Sequence, residues 1–130
     1  MRSSRTKKWE YRLKKVFDEI DSALEAEYGN RFSRHPARPQ DGATSNPEMD
    51  GLFNVGASFS PGFDSKHGPG YVVDIRLSTL QPIPQELHDE LRDKVQEMLR
   101  KKLPIAFKNK KLRVEKEKGH LRISGDLSLD

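Results

Sequence analysis

The sequence contains no cysteine, so disulfide bonds, thiolate zinc sites and cysteine nucleophiles are all excluded. Nowhere does it hold a run approaching the ~20 apolar residues that a membrane-spanning helix needs. It does not open like a secretory signal either, because the basic start runs straight into Trp9 and Glu10 rather than an apolar stretch. The expectation is a cytoplasmic protein with no membrane partner. The four histidines, His35, His67, His88 and His120, fall in separate segments, and the H-E-x-x-H and calcium-loop spacings are missing. No metal site and no cofactor are expected.

What the chain does have is charge, sorted along its length. Residues 1–15 carry a net +6, residues 16–99 a net −8 and residues 100–122 a net +8, which the overall +4 conceals. Two strongly basic segments flank an acidic middle. With 130 residues the chain reads as one domain, large enough to bury roughly two-thirds of its unfolded surface.

Periodicity supplies the elements. Trp9, Leu13, Val16, Phe17, Ile20, Leu24 and Tyr28 recur at spacings of three and four, predicting a helix from Arg5 to Tyr28. Ser3 or Ser4 suits its cap, and Gly29-Asn30 a left-handed stop. Residues 30–50 have no period and several prolines, and read as a long mobile loop. Phe53, Val55, Ala57 and Phe59 then alternate with polar or small residues, as do Tyr71, Val73, Ile75 and Leu77, which predicts two half-buried strands. A second helix spans Pro84 to Leu103, with Pro104 as its stop and a charge order that matches the helix dipole. Lys118-Gly119 then makes a two-residue turn that pairs Val114 with Ile123 and Glu115 with Arg122. The last strand continues through Leu127 and Leu129, with Gly125 suiting a bulge or a close helix crossing.

The order α-β-β-α-β-β, with one apolar face per strand, predicts an α+β two-layer sandwich. Its four-stranded antiparallel sheet carries both helices on one face. The simplest topology is a circularly permuted ferredoxin-like fold with sheet order 3-4-2-1; a meander is the alternative.

Motifs are sparse. His67–Asp74 resembles the RNA-recognition octamer at Gly68, Gly70, Tyr71 and Val72. Pro69 and Asp74 stand where that motif needs aromatics, and strand parity turns Tyr71 and Val73 into the core with Ile75 and Leu77. The glycine-rich stretch 61–70 lacks the order of a phosphate-binding P-loop, and no helix follows it.

On the predicted topology the chain-distant basic segments meet at one edge of the sheet. Arg5, Lys7 and Lys8 join Lys66, His67, Arg100, Lys101, Lys102, Lys108, Lys110 and Lys111. Such a pole attracts phosphates without sequence preference, which makes a non-enzymatic module for RNA or DNA backbone the leading reading. The second reading is a small enzyme or ligand-binding protein. It would use the 61–70 loop with His67, Asp74, Arg76, His120 and Arg122, a histidine beside carboxylates being suited to acid–base work. No nucleophile or oxyanion hole accompanies them, so no catalytic residue is assigned. The third reading is a homo-oligomeric interaction module that buries its polar sheet face.

Overall fold

The computed structural model describes residues 4–29, 52–63, 65–108 and 110–125, with the side chains of the first helix described from Lys8 onward. The elements are α1 (Ser4–Tyr28), β1 (Phe53–Ser60), β2 (Gly70–Leu77), α2 (Gln85–Ala106), β3 (Leu112–Glu117) and β4 (His120–Gly125). Their sheet order is β1-β2-β4-β3, the expected order counted from the other edge, and every pairing is antiparallel. The meander is overturned, because β2 lies inside the sheet between β1 and β4. Residues 30–50, read above as a mobile loop, and Leu127 and Leu129 of the extended last strand lie outside the described residues.

The apolar stripes do what their periods require. Leu13, Val16, Phe17, Ile20 and Leu24 of α1 join Leu91, Val95, Leu99 and Leu103 of α2 in one buried cluster. Phe53, Val55, Val73, Val114, Leu121 and Ile123 complete it from the sheet. Each such side chain contributes about 1.5–3 kcal/mol by leaving water. Ion pairs from Lys94 to Glu27 at 2.7 Å and from Lys102 to Glu19 at 3.0 Å bridge the helices at the surface. The β3–β4 register matches the expected one, Val114 opposite Ile123 and Glu115 opposite Arg122.

Four local expectations are corrected. Pro104 does not stop α2, which runs on to Ala106; the Phe107 amide caps it by donating to the Leu103 carbonyl at 2.8 Å. The reason is packing, since Phe107 is buried and its position is fixed by a ring beneath it. Gly29 is not left-handed, its amide continuing the helical pattern to the Glu25 carbonyl at 2.9 Å, and Asn30, the other half of that expected stop, lies outside the described residues. The buried side of β1 ends at Val55, because Ala57 and Phe59 share its face yet are exposed. At Gly125 the close approach comes from the strand side and not from a helix: its φ is +112° and a side chain there would meet the carbonyl of Lys111, just before β3, at 2.4 Å.

Candidate functional site

The strands align so that the start of α1, the end of α2, the end of β1 and the start of β2 lie together. Trp9 is the joint. Its ring stacks on Phe107 at 4.7 Å and on Tyr71 at 5.0 Å, and Tyr71 meets Phe59 edge-on at 5.8 Å. Trp9 is thus a core residue, and Tyr71 points inward as parity required, opposite to an RNA-recognition sheet. The Trp9 Nε1 is buried without a partner among the described residues, so the ring is held by stacking and burial alone.

This aromatic junction carries the basic segments with it. Lys8, Lys108 and Lys111 are exposed beside it, and Lys110 is half-buried. The side chains of Arg5 and Lys7 lie outside the described residues. Others are partly occupied: Arg100 donates to the Val114 carbonyl at 2.9 Å, Lys101 pairs with Glu97 at 3.0 Å, and Lys102 with Glu19.

Lys66 and His67 do not join this pole. The 61–69 connection leaves β1 at the junction, then folds back under the outer face of the sheet towards the β3–β4 turn. Gly62 permits the fold, with φ at +82° and its Cα so close to the Gly68 carbonyl that any side chain would overlap it at 2.2 Å. The strap is fastened at Glu117. That carboxylate accepts from the Ser65 hydroxyl, from Arg122 Nε at 2.7 Å, and lies 2.9 Å from His120 Nε2. Arg122 also donates to the Gly68 carbonyl at 3.2 Å. Register alone set Arg122 against Glu115, but its hydrogen bond runs diagonally to Glu117 instead, where the strap supplies further donors.

The clamp is electrostatically tuned. Burial pushes the Glu117 carboxyl up, but hydrogen bonds from Ser65, Arg122 and His120, with the charge of Arg122, outweigh it and hold the group at about 2. The Arg122 and Glu117 side chains are only 6% and 14% exposed. Beside them opens a cleft of about 750 Å³ whose lining includes Lys66, His67, Lys118, His120 and Arg122. Of the five residues considered for a ligand site, the structure unites His67, His120 and Arg122 here. Asp74 and Arg76 stand apart on β2, exposed and opposite Gly56 and Asn54 of β1.

Sequence reasoning missed Glu117 and Ser65, although the hairpin register already put Glu117 opposite His120. It also missed two carboxylates of α1. Asp21, which is buried, accepts from the Val55 amide at 2.7 Å, and Glu25 accepts from the Phe53 amide at 2.7 Å and from that of Leu52. Their signal was an acidic i, i+4 pair flanking the apolar stripe beside Ile20 and Leu24. Among the described residues no cluster of histidine and acidic side chains fits a metal ion, and no helix is long and apolar enough to cross a membrane.

Comparison with known proteins adds kinship. A Borreliella burgdorferi protein described as uncharacterized is 36% identical over 94 residues, which cover 72% of this chain and 73% of that one. No solved structure matches the chain. A family model described as "Uncharacterised protein" matches residues 4–125, which take in both helices, all four strands, the aromatic junction and the strap. The chain belongs to that family.

Proposed function

We propose that this domain binds a polyanion, the phosphate backbone of RNA or DNA, at the basic pole around the start of α1 and the end of α2. The observation that carries this reading is the stack of Trp9 on Phe107, which fixes two basic segments about a hundred residues apart in sequence beside one another. Lys8, Lys108 and Lys111 are exposed there, as phosphate contacts require. Binding rests on charge and counterion release, not on base edges. It is tested by titrating mixed-sequence RNA and DNA at low and rising salt. Affinity should fall steeply with salt, and Lys108→Gln with Lys111→Gln should each reduce the logarithmic salt slope on duplex DNA by about 0.9. Absence of salt-sensitive binding would sink the reading.

A second reading is favoured by the cleft under the strap. Lys66, His67, Lys118 and His120 border it while Glu117 already neutralises Arg122, which leaves net positive charge for a small anionic ligand. Calorimetric titration with inorganic pyrophosphate, compared between the wild type and Lys66→Gln, tests it. An unchanged or absent heat in both would remove it.

A further inference from the structure

β1 is an edge strand, and its register decides which backbone groups face outward. The amides of Phe53 and Val55 turn away from β2, since they donate to Glu25 and Asp21 of α1. The ladder from Phe53 to Ser60 is unbroken, so alternation turns Ala57 and Phe59 the same way. Among the described residues nothing accepts from either of these two amides. Both residues are exposed, Phe59 by 60%. They border a cleft of about 480 Å³ between β1 and α1, lined also by Tyr11, Leu13, Phe17 and Val55.

A bare edge of this kind is a template for another strand. Its length is limited at both ends: Asp21 already holds the Val55 amide, and Pro61 has no N–H to offer. What remains is Ala57-Ser58-Phe59, and that triplet is self-complementary. A two-fold axis at Ser58 sets Ala57 opposite Phe59 of a second copy, twice over. Both are pairs that exchange N–H and carbonyl bonds in each direction. The small Ala57 leaves above it the space that the opposing Phe59 ring fills, and the cleft beside α1 continues that space. Large against small, in both directions, is what an isologous contact requires.

We infer that a second copy of this chain docks antiparallel along the Ala57–Phe59 edge, joining two four-stranded sheets into one. Because Tyr11 and Lys14 of α1 border the same cleft, the axis passes beside the basic start of α1 in both copies. Two basic poles would then flank one axis.

Sedimentation equilibrium of the full chain, from micromolar to millimolar concentration, tests this. A monomer–dimer equilibrium is expected. Phe59→Lys and, separately, Ala57→Lys should raise its dissociation constant at least about tenfold, equivalent to 1.4 kcal/mol. Lys116→Gln, on β3 at the opposite edge of the sheet, should leave it unchanged. Both edge positions are exposed, so the fold should survive, which circular dichroism checks. Amide exchange at Ala57 and Phe59 should slow as protein concentration rises. A chain that stays monomeric throughout overturns the inference, even if it captures an extended peptide. So does a dimer indifferent to both edge substitutions.

Discussion

Where α1 begins and α2 ends, three stacked rings, Phe107, Trp9 and Tyr71, lock the helices to the sheet, and the indole has no hydrogen-bond partner among the described residues. Where β3 turns into β4, a single carboxylate, Glu117, ties down the strap through Ser65, His120 and Arg122. The first junction is apolar, indifferent to pH and built from residues far apart in sequence. The second is polar, holds a connection against the sheet and weakens when Glu117 is protonated. The contrast separates what stabilises the fold from what shapes its surface: the rings hold the layers together, while the clamp holds a loop in place.

Truncation at the rings is the largest test. Trp9→Ala should cost about 3–5 kcal/mol in chemical denaturation, the range for deleting a large buried aromatic. Trp9→Phe should retain most of that stability, because the indole has no hydrogen-bond partner among the described residues to lose. If the two variants were equally damaged, burial and stacking would not be what holds this end.

Acid attacks the other end. The Glu117 carboxyl sits at about 2 in the folded protein against an ordinary 4.5, so its contribution is fully present above about pH 4.5. It is lost as the pH falls from there through about 2, and amounts to roughly 3 kcal/mol at most. The same clamp can be removed without acid. Glu117→Gln keeps the shape but not the charge, and should cost about 2 kcal/mol by leaving Arg122 buried and underpaired. The difference between wild type and variant should then shrink over that same pH window. Exchange of the His67 amide, which donates to Ser65 Oγ at 3.0 Å, should quicken in the variant. Slow exchange there would show the strap to be held by something else.

How legible each end was in the sequence follows from the same contrast. Repeating patterns place elements, so both helices, four strands and the β3–β4 register could be read from spacing, while the sheet order came from the simplest topology and left the meander open. Trp9 was recognisable as core because it opens the α1 stripe. Phe107 was not, because Pro104 reads as a stop, and only the ring beneath Phe107 explains why the helix outlasts it. The strap was legible as a glycine-rich connection but not in its direction. A loop has no period, and this one is held by side-chain bonds from Ser65 to Glu117 and from Arg122 to the Gly68 carbonyl, which no spacing announces. Asp21 and Glu25 were hidden for a related reason: acids beside an apolar stripe look solvated until an edge strand presents its amides to them.

Pro104 offers the smallest and sharpest test of the aromatic end. Its ring removes the amide that would bond the Arg100 carbonyl, a defect that normally breaks a helix interior. Here α2 continues for two residues and delivers Phe107 under Trp9. If the stack is what holds that last turn, the proline is tolerated and not required. Pro104→Ala should then restore a backbone bond and stabilise the protein by about 1 kcal/mol or less, the gain being offset by a more flexible unfolded chain. Trp9 fluorescence should stay as it is in the parent, because the indole keeps both of its ring neighbours. A loss of stability with a shifted emission would mean that the proline bend, not the ring contact, sets the position of Phe107, and the apolar junction would then depend on backbone geometry as much as the polar one does.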